Sequence, residues 1–339
     1  MAINRCLYLN AQHELSIVEK EIPQPKQGEV LVKIAANGIC GSDVHFFKDG
    51  RLGNFVVTDP YIPGHEASGT VAAVGSGVKR FKEGDRVAIE PGITCGICEF
   101  CKIGRYNLCP DMVFLSAPPV NGTFCDYVAI REDLVFPIPD SLSMEYASLV
   151  EPAAVAIQAV SRARIKPGAS GVIVGVGPIG LLTLQAFKAA GGGHAICIDL
   201  LEKRLEIAKQ LGADETYVET FVDTDWQNIG SVVFETAGSS KASAKLFHMA
   251  ERGGTVVQVG WPDGNIVKHD VAVLIDKEID YRGSHRYTNV YDTAITWLAD
   301  GRINGDKIIT HRFPFERAVE AFQWAADNPQ ETIKVVVEN

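Results

Sequence analysis

The sequence predicts an α/β protein with two domains, one built on a doubly wound, mostly parallel sheet and the other strand-rich and barrel-like. Three observations carry this prediction. The chain has 339 residues, which is enough for two domains with sizeable cores. Short alternating strands between Gly and Pro turns fill its N-terminal part, whereas apolar strands alternate with helical segments beyond residue 170.

Composition excludes several classes of function. A net charge of -10 and a pI near 5.3 argue against nucleic acid or an anionic membrane surface as partner, because both favour basic patches. The uncharged run Pro167–Phe187 is too rich in glycine for a membrane helix. The N-terminal sequence MAINRCLYLN lacks the features of a signal peptide. We therefore expect a cytoplasmic protein with reduced thiols and no membrane partner.

The N-terminal part reads as antiparallel strands. Leu15, Ile17 and Val18 precede breaks at Pro23 and Pro25, and the segment EVLVKIAA follows as a second strand. Frequent glycines continue this turn-rich pattern. The pattern is typical of a small antiparallel, barrel-like domain.

Helical spacing of small apolar residues first becomes strong at Met144, in the segment MEYASLVEPAAVAIQAVSRARI. A long helix after a strand-rich region indicates a domain boundary there. Glu151 lies within this helix and is followed by Pro152. Taken alone, Glu151 could be an ordinary solvated helix carboxylate.

A nucleotide-binding turn opens the second domain. Val172–Val174 is a predicted strand, Gly175, Gly177 and Gly180 form Gly-x-Gly-x-x-Gly, and Ile179–Ala190 is a predicted helix. Glycines at this spacing let the backbone turn tightly and approach a pyrophosphate at the helix N-terminus. The strand–turn–helix context is the one that this motif requires, and it predicts a Rossmann domain.

The choice of dinucleotide rests on the next strand. Asp199 ends that strand 19 residues beyond Gly180, where a carboxylate can accept hydrogen bonds from ribose hydroxyls. Its charge would repel a ribose phosphate, so NAD is predicted over NADP. Arg204 works against this preference, because it could instead bind that phosphate.

The rest of the chain continues the alternation of strands and helices. Alternation of this kind makes a mostly parallel sheet with its ligand crevice at the carboxyl ends of the strands. Two amphipathic helices and the strand IKVVVEN close the chain. The predicted strands are Thr216–Val218, Val232–Glu235, Thr255–Val259 and Glu278–Arg282, and the predicted helices are Glu202–Gln210, Lys241–Arg252, Thr293–Ala299 and Glu316–Ala326.

Four cysteines form the strongest metal signal. Cys95, Cys98, Cys101 and Cys109 are close enough in sequence to bind one tetrahedral zinc with no open position, so this site would be structural. Disulfides are the rival in an oxidising compartment, and an iron–sulfur centre also accepts four thiolates. Only two basic residues flank the cluster, which disfavours a nucleic-acid module. The remaining unassigned cysteines are predicted to be packed thiols: Cys6, Cys125 and Cys197.

A second, open metal site is suggested by Cys40, His65 and Glu66. One thiolate, one imidazole and one carboxylate suit zinc, and a catalytic zinc keeps its fourth position open for water or substrate. The alternative is a buried Cys, a core His and a surface Glu that never meet. Spacing alone does not decide between these two readings.

With these motifs, the chain resembles the zinc-containing medium-chain alcohol dehydrogenases, and within them the sorbitol (polyol) dehydrogenase group. The resemblance runs nearly from end to end, through the segments GICGSDVH, RLGNFVV, PGHEASGTV, GDRVAIEPG, GRYNLC, LVEPAAVAI, GVGPIGLL, RYTN and THRFPFERAVEAF. It implies a GroES-like catalytic domain at 1–150 with 288–339 and an NAD-binding Rossmann domain at 151–287. It also implies two zinc ions per subunit, NAD as cofactor and a homotetramer.

The resemblance assigns roles around the open site. Cys40, His65 and Glu66 would bind the catalytic zinc, and Glu151 would hold a zinc-bound water or approach the metal itself. Asp43 would brace the ligands as a hydrogen-bond acceptor. The cofactor contacts would be Gly175, Gly177, Pro178, Ile179, Gly180, Asp199, Arg204 and Val259.

Substrate and proton-relay residues follow from the same resemblance. Ser42 and His45 would relay a proton to solvent, and Arg286 and Tyr287 would bind a polyol near the nicotinamide. Phe46 stands at a substrate position where some sorbitol dehydrogenases present a Tyr hydroxyl. The four-cysteine lobe is intact here, whereas animal members of the group have lost it. This combination is typical of a more zinc-rich, bacterial-like member.

The implied activity is oxidation of a secondary hydroxyl of a sorbitol- or xylitol-like polyol to a ketose, with hydride transfer to NAD. Butanediol, galactitol and sugar-phosphate dehydrogenases of the same family are alternatives, and a threonine dehydrogenase is disfavoured by the pair Glu151 and Pro152. A non-catalytic protein on the same fold is a remote alternative. Such a protein would have no reason to keep Cys40, His65 and Glu66 together with Ser42.

Overall fold

The computed structural model describes residues 3–221 and 225–339. Its chain forms two compact units, one of Met1–Glu151, Tyr291–Ala299 and Ile309–Asn339, the other of Pro152–Val290 and Asp300–Ile308. The predicted division into 1–150 with 288–339 and 151–287 differs from these units at Glu151, at 288–290 and at 300–308. One reason is a long-range hydrogen bond within the second unit, in which the Asn304 N–H donates to Gln185 Oε1 at 2.7 Å.

Strands and helices are numbered in chain order over the described residues. The strands are β1 Ile3–Leu9, β2 Leu15–Glu21, β3 Glu29–Gly38, β4 Arg51–Leu52, β5 Phe55–Val56, β6 Glu66–Val74, β7 Arg86–Ile89, β8 Gly92–Ile93, β9 Val113–Phe114, β10 Tyr127–Arg131, β11 Val135–Pro137, β12 Gly171–Val174, β13 Ala195–Asp199, β14 Glu215–Val218, β15 Gly230–Glu235, β16 Ala250–Gln258, β17 Asp280–Gly283, β18 Ile309–Pro314 and β19 Lys334–Glu338. The helices are α1 Gly41–Asp49, α2 Glu99–Lys102, α3 Met144–Ser148, α4 Val150–Ala163, α5 Pro178–Ala189, α6 Glu202–Gln210, α7 Ser240–Ser243, α8 Leu246–Met249, α9 Val271–Asp276, α10 Tyr291–Ala299 and α11 Ala318–Asp327.

The second unit contains a six-stranded parallel sheet in the order β14-β13-β12-β15-β16-β17. Counted from its first strand, this order is 3-2-1-4-5-6, the order of a doubly wound dinucleotide-binding sheet. The central strands are mostly apolar, as expected where both faces of a sheet are covered; Val172, Ile198 and Val233 are among the buried residues of one core. The predicted fold class is confirmed.

The glycine turn between β12 and α5 has the shape that the motif predicts. Gly175 has φ 86, and a Cβ there would lie 2.6 Å from the Ala237 Cβ. A Cβ at Gly180 would lie 1.9 Å from the Gly175 carbonyl oxygen. The chain packs so tightly around the turn that neither position tolerates a side chain. Pro178 occupies the first turn of α5, where its missing N–H costs no hydrogen bond.

The first unit is built on a seven-stranded sheet. Its path is β11-β7-β6-β3-β19-β18, with β10 also pairing β3. The pairs are antiparallel except for β18 with β19. Val32, Ile34, Val71 and Val87 are among the buried residues of its core. Because β19 comes from the C-terminal tail and pairs with β3, the tail belongs to this sheet.

The predicted helix Lys241–Arg252 is wrong. The chain forms the two short helices α7 and α8 and then turns into β16 at Ala250, which pairs with Gly230 of β15. Lys277 explains where α8 ends: its buried ammonium donates to the carbonyls of Phe247, His248 and Ala250. The helix-forming composition of the segment is overridden by strand pairing, a contact distant in sequence.

Two further differences concern helices near the predicted site. The helix predicted from Met144 is broken at Leu149 into α3 and α4, and the Ser143 hydroxyl caps the first of them. Helix α1 was not predicted at all, because the segment GSDVHFFKD has weak helical periodicity. No helix formed by the described residues is long and apolar enough to cross a membrane.

Candidate functional site

Two chain segments bring the predicted open metal site together. Cys40 directly precedes α1, His65 directly precedes β6, and Glu66 is the first residue of β6. One ligand atom from each lies within 4.8 Å of the others. Gly38, opposite Glu66 on β3, makes room for the carboxylate, since a Cβ there would lie 2.1 Å from Glu66 Oε2. Cys40, His65 and Glu66 therefore do meet.

Asp43 ties the loops that carry these ligands. It is fully buried, and its Oδ2 accepts a hydrogen bond from the Cys40 N–H at 3.0 Å. Its Oδ1 accepts from the Gly64 N–H at 3.2 Å and from the Ser116 hydroxyl at 2.9 Å. These contacts fit the predicted role of Asp43 as an acceptor that braces Cys40 and the loop before His65.

The electrostatics of the site favour a bound cation. Burial acts to lower the pKa of His65, but the Cys40 sulfur and the carboxylates of Asp43 and Glu151 outweigh it and raise that pKa to about 10. The His65 Nδ1 is buried without a hydrogen-bond partner in the described part of the chain and lies 3.9 Å from Asp43 Oδ1. A buried site that attracts a proton this strongly also attracts a metal ion. The donor set of thiolate, imidazole and carboxylate fits zinc.

Lys334 is an unpredicted member of this site. Its ammonium lies 2.7 Å from both Glu66 carboxylate oxygens and donates to the Ile39 carbonyl at 3.1 Å. Only 3% of the Lys334 side chain is exposed. Burial acts to lower its pKa, but Glu66 and the Cys40 sulfur raise it, so the amine is charged. Lys334 thus orients Glu66 and partly offsets its charge.

Glu151 lies at the start of α4 and is 6% exposed. Its charge helps to raise the pKa of both His65 and Lys334, so it is close to the cluster. Another buried carboxyl, Glu90, was not predicted. Burial raises its pKa to about 7, and the charge of Glu151 adds to this effect. The prediction that Glu151 approaches a metal-bound water is compatible with this placement.

The four-cysteine cluster is also assembled. Ligand atoms of Cys95, Cys98, Cys101 and Cys109 lie within 4.8 Å of one another. The Cys95 sulfur is 3.5 Å from that of Cys109 and 4.0 Å from that of Cys101, close to the ~3.8 Å between sulfurs around a tetrahedral zinc. N–H groups of Ile97 and Cys98 lower the pKa of Cys95 to about 7. Of these thiols, Cys95 is therefore the one most readily converted to a thiolate, the form that binds metal.

The predicted relay and substrate residues on α1 lie in different environments. Ser42 and His45 are one helical turn apart, and the exposed His45 Nδ1 is 3.0 Å from Asp49 Oδ2. This placement suits a proton outlet to solvent. Phe46 is only 4% exposed and packs edge-on against Tyr61 with ring centroids 6.3 Å apart. The predicted substrate contact at Phe46 gains no support from this packing.

The predicted dinucleotide site lies at the carboxyl ends of the parallel strands. Asp199 ends β13 and is 8% exposed; its Oδ2 accepts from the Val176 N–H at 2.7 Å and its Oδ1 from the Leu201 N–H at 2.9 Å. Asp199 therefore supports the glycine turn as well as presenting a charge. An Arg204 guanidinium nitrogen lies 3.6 Å from where a Gly177 Cβ would be, so Arg204 reaches the same turn.

Arg286 and Tyr287 follow β17. Arg286 has φ 51 and lies in the left-handed region, where a side chain other than glycine is strained. Tyr287 is 2% exposed. Val259, which was predicted to contact the cofactor, directly follows β16. It lines a cavity of about 360 Å³ with Ser284 and other residues of the second unit.

Lys334 and Ser116 contribute to the site without having been predicted. A sequence signal exists for Lys334, because a lysine inside the apolar strand IKVVV must be paired if it is buried. Ser116 has no comparable signal in the sequence. Only the structure shows its φ of 70°, which marks an unusual turn. The Cys6 and Cys125 thiols are packed as predicted and face each other across an antiparallel bridge. Cys197 is buried in the parallel sheet.

Comparison with known proteins agrees with this geometry. Residues 26–140 match the alcohol dehydrogenase GroES-like domain, and residues 178–300 match the zinc-binding dehydrogenase domain. The chain is 44% identical to sorbitol dehydrogenase of Bacillus subtilis over 332 residues, which cover 96% of this chain and 94% of that protein. It is 39% identical to sorbitol dehydrogenase of Gallus gallus, with 94% and 92% covered.

A solved structure of L-idonate 5-dehydrogenase from Escherichia coli superposes with a TM-score of 0.93 at 33% identity, covering 100% of this chain and 99% of that one. Zinc and NAD are the cofactors that these matches support, and both were predicted from the sequence. The residues that could hold them are the two zinc-compatible clusters and the glycine turn described above. The chain belongs to the zinc-dependent medium-chain alcohol dehydrogenase family, in its sorbitol dehydrogenase group.

Proposed function

We propose that this protein oxidises a secondary hydroxyl of a sorbitol- or xylitol-like polyol to a ketose, with NAD as hydride acceptor. The observation that carries the proposal is the cluster of half-buried Cys40 with buried His65 and Glu66, which offers three ligands and so leaves one zinc position open. It lies in a chain related to sorbitol dehydrogenases along almost its whole length. The four-cysteine cluster has no open position and is assigned to a structural zinc. The predicted homotetramer and cytoplasmic location remain predictions.

The residues of the chain divide the chemistry among them. A zinc ion bound by Cys40, His65 and Glu66 supplies Lewis acidity, which lowers the pKa of a substrate hydroxyl. Ser42 would take up the hydroxyl proton as it releases its own toward His45, which would pass a proton to solvent, in line with the exposed His45–Asp49 pair of α1.

Substrate positioning is assigned to Arg286 and Tyr287. An Arg fork and a phenol can bind hydroxyls remote from the reacting carbon and so orient the carbinol for hydride transfer. The left-handed backbone at Arg286 supports a functional role, because strain of this kind concentrates at ligand sites.

Replacing Arg286 by Ala should lower kcat/KM for sorbitol or xylitol by about 10- to 100-fold, the cost of a charged hydrogen bond left unmade. A short diol such as 2,3-butanediol lacks the remote hydroxyls, so its kcat/KM should fall much less. Steady-state rates of NAD reduction with a panel of polyols and diols measure both effects. The panel also separates a polyol enzyme from a butanediol, galactitol or sugar-phosphate enzyme.

Asn289→Ala is the matched control for Arg286→Ala, since Asn289 has φ 54 in the same segment and loses a side chain under similar backbone strain. It should leave the ratio of polyol to diol efficiency unchanged. Equal losses for both substrates in Arg286→Ala would assign Arg286 to the fold or the cofactor. The assignment of a polyol as substrate would then lose the residue on which it chiefly depends.

NAD should be preferred to NADP by the unmodified protein, because the Asp199 carboxylate repels a ribose phosphate. Asp199→Gly should reduce the ratio of kcat/KM values for NAD and NADP by about tenfold or more, roughly one unfavourable charge contact. Asp199→Glu keeps the charge and should keep the preference. Comparable efficiency with both cofactors in the unmodified protein would mean that Arg204 outweighs Asp199.

A further inference from the structure

Glu235 is a buried carboxyl group that the proposed chemistry does not use. It ends β15 in the middle of the parallel sheet and has no exposed surface. Its Oε1 accepts from the N–H groups of Ala237 at 3.1 Å and Ser239 at 3.3 Å, and its Oε2 accepts from Gln258 Nε2 at 2.7 Å. The carboxyl ends of parallel strands are where such sheets bind ligands. Glu235 therefore joins two segments at the edge of the sheet where ligands bind.

The first of these segments is the loop 236–239, which supports the glycine turn. The Thr236 hydroxyl donates to the carbonyls of Val174 at 3.0 Å and Gly175 at 2.5 Å. Ala237 lies so close to Gly175 that a Cβ on the glycine would be 2.6 Å from the Ala237 Cβ. A shift of this loop would therefore move the turn that faces the pyrophosphate.

The second segment forms the wall of a cavity of about 360 Å³. The N–H groups of Val259 and Gly260 donate to the Glu235 carbonyl at 2.9 and 3.0 Å, so both the backbone and the side chain of Glu235 hold this wall. The lining of this cavity is mostly apolar, and it offers one buried hydroxyl, that of Ser284, which has no hydrogen-bond partner among residues 3–221 and 225–339. The lining residues are Gln258, Val259, Gly260, Trp261, Pro262, Ser284 and His285.

We propose that Glu235 is a positioning residue for NAD, whose carboxylate clamps the loop under the glycine turn to the wall of the cavity. The clamp uses acceptor sites on both oxygens, since the N–H groups of the loop 237–239 and the Gln258 amide point at them. Protonation places an O–H donor on one oxygen and makes that oxygen a weaker acceptor, which weakens the clamp. The inference rests on NAD binding and is independent of which alcohol is oxidised.

The clamp should be sensitive to pH near neutrality. Burial raises the pKa of Glu235 to about 7, although the N–H donors of Ser239, Ala237 and Gly238 and the Gln258 amide act to lower it. Because the pKa is raised in the folded protein, ionisation of Glu235 lowers the free energy of unfolding as pH rises from the ordinary pKa to 7, and this cost stays constant above 7. Above 7 the carboxylate is the form that makes the clamp. NAD binding should tighten as pH rises through 7.

Other groups packed around Glu235 are neutral in this range. The Ser243 hydroxyl of α7 lies 3.4 Å from Gln258 Nε2, and the Tyr281 hydroxyl of β17 donates to Gln258 Oε1 at 3.3 Å. Burial raises the pKa of Tyr281, which stays protonated. His269, whose Nε2 is 3.4 Å from the Tyr281 hydroxyl, has its pKa lowered by burial. Neither ring is charged above pH 7.

The test is the Kd of NAD for the zinc-loaded protein without alcohol, measured by fluorescence titration from pH 6 to 8. If NAD binds the ionised clamp tenfold more tightly, Kd should be about fivefold weaker at pH 6 than at pH 8. Glu235→Gln should weaken binding about tenfold at pH 8 and remove the pH dependence. Glu251→Gln, at the opposite end of the sheet on β16, is the control and should preserve both.

A second measurement needs no variant and covers the case in which Glu235→Gln does not fold. Calorimetric titration of NAD at pH 7 in two buffers of different ionisation enthalpy should show the release of about 0.4 proton per NAD, by the same tenfold linkage. A pH-independent Kd in the unmodified protein, or no proton release at pH 7, would overturn the proposal. So would a folded Glu235→Gln protein with unchanged affinity at pH 8. Because no alcohol is present, these results do not depend on the identity of the polyol.

Discussion

Lys334→Met should lower the stability of the protein by about 3–5 kcal/mol and its kcat/KM for polyol by at least about 100-fold. The stability loss applies to the metal-free protein, in which Met leaves the Glu66 carboxylate buried and unpaired, the costly way to break a buried ion pair. The activity loss follows because Glu66 would no longer be oriented for the metal. Urea unfolding measures the loss of stability, zinc content measures the effect on the metal site, and steady-state rates measure the loss of kcat/KM.

Two companion variants separate charge from packing. Lys334→Arg keeps a cation beside Glu66 and should retain more stability than Lys334→Met. In the double variant Lys334→Met with Glu66→Gln, the unpaired charge is gone, so much of the lost stability should return while activity stays low. If Lys334→Met unfolded at the same urea concentration as the unmodified protein and kept its zinc, the ion pair would have no role in the site.

Cys40→Ser and Cys98→Ser should separate the two metal sites by their effects. Cys40→Ser removes a ligand of the open site, so kcat should fall at least about 1,000-fold while the free energy of unfolding changes little. Cys98→Ser opens the closed four-thiolate site, and because a structural zinc contributes its binding free energy to folding, stability should fall by several kcal/mol. Activity of the protein that remains folded should fall far less than in Cys40→Ser.

Elemental analysis provides the common measurement for both variants. The unmodified protein should contain two zinc ions per subunit and each variant about one. Graded chelation should abolish activity before it lowers the unfolding temperature, because the open site has fewer protein ligands than the closed one. Fully active protein with at most one zinc per subunit would contradict the two-site assignment.

Short-range patterns in the sequence determined much of this protein. The glycine turn at Gly175 and Gly180 was predicted correctly because strand, turn and helix are consecutive, and the backbone demands of the turn can be met only by glycine. The cluster from Cys95 to Cys109 was predicted for the same reason, since a short loop can bring four sulfurs together by itself. The resemblance then indicated the open site, whose three side chains do lie close together in the structure. It also indicated the family, which the comparisons confirm.

Only the tertiary structure determined how the open site is supported. Lys334 lies 268 residues from Glu66, and their contact exists because β19 and β6 both pair with β3. The burial of Phe46 against Tyr61 and the end of α8 at the Lys277 ammonium likewise depend on distant partners. A local pattern indicates which backbone conformation a segment favours. It does not indicate which charge will be buried and need a partner, because burial depends on packing between segments far apart in sequence.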